Sequence, residues 1–244
     1  MVEGLQVNGI SKRFGSAEIL RQVSLAAPLS RITALIGQNG AGKSTLFKIL
    51  MGLIPADAGQ AALSGRDLLG LPLHQKAAAG LGYLPQECAS FEELTASENL
   101  RALLEILPLS KKERGERLTE LVETAGLDKV ADRRFKLLSR GEQRRLEIAK
   151  ALAARPRLLL LDEPFSGLDP RIVEDLARIL RRLANEGIGI LLTDHNIHMT
   201  LAFVEDVFLL ANGAIVCHGS PQEIAADEAA RRLYLGESFQ VGRL

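Results

Sequence analysis

A glycine-rich segment from Gly37 to Thr45 has the residue types and the spacing of a phosphate-binding loop. Its letters, GQNGAGKST, match the pattern GxxxxGK[ST]. In such a loop successive backbone N–H groups turn toward phosphate oxygens, and the N-terminus of the following helix adds partial positive charge. Lys43 is expected to bridge the outer phosphates and Ser44 to ligate Mg²⁺. The predicted nucleotide-binding residues are Gly37, Gln38, Asn39, Gly40, Ala41, Gly42, Lys43, Ser44 and Thr45.

Two adjacent acids follow a run of four leucines. The run, residues 158–161, predicts a buried strand, and Asp162 and Glu163 come at its carboxyl end, where open α/β sheets place their ligands. Asp162 is expected to hold Mg²⁺, and Glu163 to orient and polarise the attacking water. His195 follows a second apolar strand, residues 188–193, and is expected at the same sheet edge, where it could face the outer phosphate. Taken alone, Glu163 could instead be an exposed strand-end acid, and a lone histidine in this position would more often be structural.

Gln86 lies between a short predicted strand and a helix-rich segment. This position would let its amide sense a bound Mg²⁺ and report it to the helices, although a lone glutamine here would be only a loop residue. A phosphate loop by itself does not separate ATPases from GTPases and kinases. A guanine-reading NKxD-type sequence is absent from the chain, which favours ATP as the nucleotide.

The elements that would position these residues alternate strand and helix. Residues 32–36 are a β-prone run directly before the loop, and residues 43–50 have helical spacing up to Gly52. Residues 172–183 carry an amphipathic helical pattern between the two buried strands. The other predicted elements are strands over 5–7, 19–25, 207–211 and 215–218, and helices over 97–126 and 142–154.

Composition excludes several classes of protein. The chain has 244 residues, with 30 basic and 30 acidic side chains, so no overall positive field would attract nucleic acid or an anionic membrane. Its cysteines, Cys88 and Cys217, are far apart and suit a reducing compartment better than a disulfide scaffold. No apolar run is long enough to span a bilayer. We expect a cytoplasmic protein that meets the membrane only through partners.

In this order the motifs resemble the ATP-binding subunits of ABC transporters, from about Leu5 to Gly236. The segment Leu138-Ser139-Arg140-Gly141-Glu142 stands where that family has LSGGQ, the motif that closes over the nucleotide of a partner subunit. The resemblance implies an α/β P-loop NTPase fold with a RecA-like parallel-sheet core, a small antiparallel layer and a helical lobe. It also implies one ABC ATPase domain over 1–244, with the nucleotide-binding core at 1–86 and 156–236, the helical lobe at 87–155 and a tail at 237–244.

The resemblance further implies a head-to-tail dimer of two copies with ATP and Mg²⁺ between them. Phe14 would then stack on adenine, although a core aromatic is an equal alternative, and His195 would clamp the outer phosphate. Asp169, in the segment that begins at Gly167, would touch the partner subunit. Ser139, Arg140, Gly141 and Glu142 would complete the partner's site, Ser44 and Asp162 would ligate Mg²⁺, and Gln86 would contact the metal.

Shorter matches, such as GYLPQE over residues 82–87 and YLGESF over 234–239, resemble the lipopolysaccharide-export branch of the family. That branch would place LptF/LptG-like permease subunits in a groove near Gln86–Leu94, on the cytoplasmic face of the inner membrane. Three features depart from it: Arg140, which replaces a glycine where a positive φ is expected, the acidic pair at 92–93, and the ending after Phe239. The alternatives are a branched-chain amino-acid importer's ATPase, an ABC ATPase without transport, or a degenerate regulatory module.

Overall fold

The structure is a computed structural model that describes residues 3–87, 89–236 and 239. The predictions for Cys88 and for the tail at 237–244, Phe239 apart, lie outside the described residues. The strands are β1 Gly4–Phe14, β2 Ala17–Pro28, β3 Ile32–Ile36, β4 Ala58–Leu63, β5 Arg66–Asp67, β6 Leu81–Leu84, β7 Leu158–Asp162, β8 Gly189–Thr193, β9 Asp206–Ala211 and β10 Ala214–Gly219. The helices are α1 Lys43–Met51, α2 Leu73–Ala78, α3 Ala96–Glu105, α4 Lys111–Thr124, α5 Arg140–Leu152, α6 Pro170–Asn185, α7 Ile197–Leu201, α8 Pro221–Ala226 and α9 Glu228–Ala230.

Within the described residues the strands form two sheets. One has six strands in the order β10-β9-β3-β8-β7-β6 and is parallel except for β10, which pairs antiparallel with β9. The other has four antiparallel strands in the order β2-β1-β4-β5. The α/β class and the small antiparallel layer expected from the sequence are therefore confirmed.

The central strands are apolar throughout because both faces of the six-stranded sheet are covered. In β7, Leu159 and Leu161 pack into one core cluster with the helices α3, α5 and α6, whereas Leu158 and Leu160 pack into a second cluster. The second cluster contains α1 and the antiparallel sheet. Side chains alternate between the faces of a strand, so a fully buried strand shows no polar alternation.

Most predicted elements are present with shifted ends, but the helical stretch predicted over 97–126 is two helices, α3 and α4, and the strand predicted over 5–7 is the longer β1. The strand at 32–36 has its predicted bounds, and α1 ends at Gly52, which adopts the left-handed conformation as the C-cap. The hairpin turn at Asn212-Gly213 has positive φ at both residues, as a type I′ turn requires. Helix α5 begins and ends two residues earlier than predicted, because Ser139 is its N-cap and the chain leaves the helix before Arg155, which has a φ of 52°.

A buried lysine joins α2 to the far end of α1. Lys76 is 1% exposed, and its Nζ donates to the carbonyl of Leu50 at 2.8 Å. Burial lowers the pKa of Lys76, and the negative charge of Asp67 opposes this shift. The C-terminal end of the helix that follows the phosphate loop is thus fixed to a neighbouring helix.

Candidate active site

The phosphate loop links β3 to α1, and its glycines are required by the backbone. Gly42 is the N-cap of α1 with a φ of 111°, and a Cβ there would lie 2.6 Å from Leu20. A Cβ at Gly37 would lie 2.2 Å from the carbonyl oxygen of Leu210 on β9. No described side chain caps α1, and its first turn contains no acid. The N–H groups at this end are therefore left for an anionic ligand.

Lys43 is folded back onto its own loop. It is 5% exposed, and its Nζ donates to the carbonyls of Gly37 at 2.8 Å and Gln38 at 3.1 Å. Burial lowers the pKa of Lys43, and the nearby carboxylates, led by that of Glu163, oppose the shift. A phosphate that enters the loop would replace these neutral carbonyls with charged oxygens, which bind an ammonium more strongly.

Ser44 and Asp162 are brought together across the end of the sheet. The Ser44 hydroxyl donates to Oδ1 of Asp162 at 3.2 Å, and the Thr193 hydroxyl donates to the same oxygen at 2.6 Å. Asp162 is 2% exposed. Hydroxyl and carboxylate oxygens are the ligands Mg²⁺ prefers, and Mg²⁺ commonly takes few protein ligands beside substrate phosphates. This donor pair fits Mg²⁺, although the described residues contain no cluster of three or more metal-binding side chains.

Glu163 is held at the next position by groups from three directions. Gln86 donates from Nε2 to Oε2 of Glu163 at 3.1 Å, and Nδ1 of His195 lies 3.4 Å from the same oxygen. The backbone of Glu163 has a φ of 49°, which L-residues seldom adopt, and its N–H donates to the carbonyl and hydroxyl of Thr193 at 3.0 and 3.1 Å. Such a conformation persists only where the surrounding structure imposes it, and the contacts of Gln86 and His195 lie at the carboxylate itself.

These side chains surround an open cavity of about 600 Å³. The lining residues are Phe14, Ile19, Asn39, Gly40, Gly42, Lys43, Ser44, Thr45, Gln86, Glu163 and His195. Phe14 is 48% exposed, so the alternative of a core aromatic is wrong, and Nζ of Lys12 lies 5.4 Å from its ring centroid. The cavity therefore combines an aromatic ring at its rim with a phosphate loop, a Mg²⁺ donor pair and a carboxylate.

The predicted signature residues lie outside this cavity, at the start of α5. The Ser139 hydroxyl accepts from the N–H of Glu142 at 3.3 Å, and the Glu142 carboxylate accepts from the N–H and hydroxyl of Ser139 at 2.7 and 2.9 Å. The hydrogen bond from the Ser139 N–H lowers the pKa of Glu142. Arg140 is the first helical residue and has no positive φ, so the expected glycine-like backbone at this position is wrong.

Gly141 is buried, and a Cβ there would lie 2.9 Å from Ile172 of α6. Asp169 begins α6 and accepts from the N–H groups of Arg171 and Ile172 at 3.1 and 3.2 Å. Its carboxylate therefore caps a helix within the chain, and the partner contact expected of it remains a prediction. The close packing of α5 on the first turn of α6 holds these two segments side by side.

Sequence reasoning missed several residues of the site. Thr193 ends β8 and Asp194 follows it, beside the end of β7. Asp194 is fully buried and accepts from the N–H groups of Phe165 and Asn196 at 3.1 and 2.8 Å. Their position at a predicted strand end was a usable signal. No sequence signal indicates that Ile19 lines the cavity or that Gln38 donates to the carbonyl of Leu233 at 2.8 Å, because both contacts join distant parts of the chain.

A separate cavity of about 400 Å³, called the apolar groove below, is lined by no described residue of the predicted permease segment 86–94, although Lys150 joins the two. Exposed apolar side chains, Leu53, Leu73 and Ile106, line it beside Tyr83 and Met51. Burial raises the pKa of Tyr83 to about 12. Among the described helices, none has the length and apolar character needed to cross a bilayer.

The ABC transporter family profile matches residues 20–166. The chain is 44% identical to the lipopolysaccharide export system ATP-binding protein LptB of Acidithiobacillus ferridurans, covering 99% of this chain and all of that protein. It is 42% identical to LptB of Escherichia coli strain K12, covering 97% of this chain and 99% of that protein.

Solved structures are similar along most of the chain. A nucleotide-free ATP-binding cassette of an ABC transporter has a TM-score of 0.87 at 26% identity, over 97% of this chain and all of the other. An ABC transporter cassette in its dimeric post-hydrolysis state, bound to ADP and phosphate, has a TM-score of 0.77 at 25% identity, over 89% of this chain and 98% of the other.

Proposed function

This chain belongs to the ABC transporter family of ATPases, and we propose that it powers lipopolysaccharide export by hydrolysing ATP in a head-to-tail dimer. The observation that carries hydrolysis is the arrangement of Glu163 between Gln86 and His195 at the wall of the phosphate-loop cavity. Near full-length identity of 42–44% to proteins named for lipopolysaccharide export supports the substrate. A related cassette described as dimeric with ADP and phosphate supports the dimer.

The proposed chemistry uses residues already in place. Lys43 moves its ammonium from the loop carbonyls to the outer phosphates. Ser44 and Asp162 would hold Mg²⁺, which would neutralise charge on the transferred group. Glu163 accepts a proton from the attacking water. His195, next to the Glu163 carboxylate, contacts the outer phosphate, and Phe14 stacks on the base. Ser139 and its neighbours complete the site from the second copy.

The proposed membrane partner occupies the apolar groove. Leu53, Leu73 and Ile106 expose apolar surface there. Contiguous exposed apolar surface of this kind commonly marks a site of interaction with another protein. A helix of a permease subunit would cover these side chains. Lys150 donates to the carbonyl of Ala89 at 2.5 Å and to the hydroxyl of Ser90 at 2.9 Å, which ties the segment after Gln86 to α5 beside the groove. Gln86 contacts the Glu163 carboxylate and comes shortly before Ala89 and Ser90 in the chain, which supports a role in linking hydrolysis to the proposed partner surface.

The test is reconstitution of this chain with a permease pair of the lipopolysaccharide-export type in liposomes loaded with lipopolysaccharide. We expect ATP-dependent release of lipopolysaccharide to an acceptor protein, and Glu163→Gln should lower ATP turnover by about 10²–10⁴-fold, the range for loss of a general base. The same variant should accumulate ATP-bound dimers, seen as a shift in size-exclusion chromatography. ATPase activity stimulated instead by an amino-acid permease would contradict the substrate assignment.

A further inference from the structure

Arg144 of α5 holds the backbone beside the catalytic carboxylate. Its side chain is nearly buried, and Nε donates to the carbonyl of Pro164 at 2.7 Å while Nη2 donates to the carbonyl of Glu163 at 2.8 Å. Nη1 pairs with the carboxylate of Glu147 at 2.8 Å. The planar guanidinium presents its donors in a fixed fork, so these contacts set the position of the carbonyls as well as their distance.

Glu163 is consequently held on both sides. From the sheet, its N–H is bonded to Thr193, and from the helix, its carbonyl is bonded to Arg144. Two residues on, the N–H of Phe165 donates to Asp194 at 3.1 Å. A residue with a φ of 49° keeps that conformation only when its surroundings impose it. A shift of α5 would therefore change the backbone of Glu163 and the direction of its side chain.

Arg140 lies one helical turn before Arg144, on the same face of α5. Its Nη1 donates to the carbonyl of Gly167 at 3.4 Å, and the neighbouring Gly141 packs against Ile172. The first turns of helix α5 therefore contact the loop after β7 at two points, Glu163-Pro164 and Gly167. Arg140 is exposed, and its hydrogen bond to Gly167 is longer than those of Arg144.

We infer that Arg144 and Arg140 form an arginine clasp that couples the two ATP sites of the dimer. The inference rests on the proposed head-to-tail arrangement, in which Ser139 of α5 serves the partner's nucleotide and Glu163 serves the nucleotide in its own subunit. Arrival of the partner's ATP at the start of α5 is transmitted through Arg144 to the Glu163 carbonyl. Arg144 is a positioning residue because it contacts the carbonyl of Glu163, and Arg140 supports it by holding the same loop at Gly167.

Steady-state ATP hydrolysis by the assembled transporter tests the clasp. Arg144→Met should lower kcat about 10- to 100-fold, because small misplacements of a reacting group cost this much, while KM stays within about twofold. The Hill coefficient for ATP should fall toward one. Arg144→Lys, which keeps the charge but loses the fork, should be intermediate, and Arg140→Gly should lower kcat by about two- to fivefold, as expected for loss of one weaker hydrogen bond.

The matched control is Arg178→Met on α6, which removes an exposed arginine that pairs with Asp175 at 3.0 Å and should leave kcat and the Hill coefficient unchanged. A kcat within twofold of wild type in Arg144→Met, or an unchanged Hill coefficient, overturns the clasp. If Arg144→Met does not fold, an unchanged Hill coefficient in both Arg144→Lys and Arg140→Gly overturns it equally. Failure of the proposed function can be distinguished from failure of the clasp, because the wild-type chain would then form no dimer on addition of ATP.

Discussion

Two helix N-termini of this chain are predicted to meet nucleotide, and they differ in how they are capped. Helix α1 begins at a left-handed glycine with no described side-chain cap and no acid in its first turn. Helix α5 begins with a capping box in which the Glu142 carboxylate already accepts from Ser139. One end is open to an anion, whereas the other carries its own negative charge. The difference indicates that α1 supplies most of the phosphate affinity and α5 responds to a nucleotide already bound.

Removal of the ammonium group of Lys43, at the uncapped start of α1, should have the largest effect, which is on ATP affinity. Lys43→Ala should weaken ATP binding about 10- to 150-fold, the loss expected for a charge-assisted hydrogen bond of roughly 1.5–3 kcal/mol. Isothermal titration calorimetry measures the change. Lys48→Ala, an exposed lysine on the same helix, is the control and should bind ATP as wild type does. Equal losses in the two variants would mean that general charge, and not the loop, determines affinity.

An intermediate effect is expected from packing at the capped end. Gly141→Ala would place a Cβ 2.9 Å from Ile172, and overpacking of this kind typically lowers the free energy of unfolding by about 1–3 kcal/mol. Chemical denaturation of the purified chain measures it.

Ile172→Ala removes the atoms that the new methyl group meets, so the double variant should lose less stability than the two single changes summed. Additive losses would show that contact with the Ile172 side chain does not explain the need for glycine at position 141. The starts of α1 and α5 would then not differ in whether their glycines are required by backbone or by side-chain packing.

The smallest effect should come from the charge of the capping box. Glu142→Gln keeps a side chain able to cap α5 but removes the negative charge, which is worth about 0.3–1 kcal/mol at a helix N-terminus. We expect the KM for ATP in the dimer to fall about two- to fivefold. Ser220 and Glu223 form the same capping box at α8, so Glu223→Gln is the matched control and should leave KM unchanged. A higher KM in Glu142→Gln would mean that this carboxylate helps to bind nucleotide.

The residues of the phosphate loop at the start of α1 could be predicted from the sequence, because they are contiguous along the chain. The loop, the preceding strand and the following helix are contiguous, and Asp162 and Glu163 were placed by the rule that ligands bind at the carboxyl ends of parallel strands. What it could not predict depends on contacts between distant segments. The bonds from Arg144 to the carbonyls of Glu163 and Pro164 leave no trace in residue type, since an arginine on a helix is usually exposed. Similarly, the conformation of Arg140 followed from the cap at Ser139 and not from the motif it departs from.

Helix α1 has a second end, and the contact made there by Lys76 links the phosphate loop to the groove proposed for the membrane partner. Nine residues at 1.5 Å each give a rod of roughly 13 Å with the phosphate loop at its start. Its last residue, Met51, lines the apolar groove, and the ammonium of Lys76 grips the Leu50 carbonyl from α2, whose Leu73 lines the same groove. Pressure from a helix seated in that groove would be felt by this rod directly. Because α1 is a continuous helix from the phosphate loop to the groove, a displacement at either end would shift the other end. Docking of a partner in the groove would therefore affect nucleotide binding, just as nucleotide binding would affect docking.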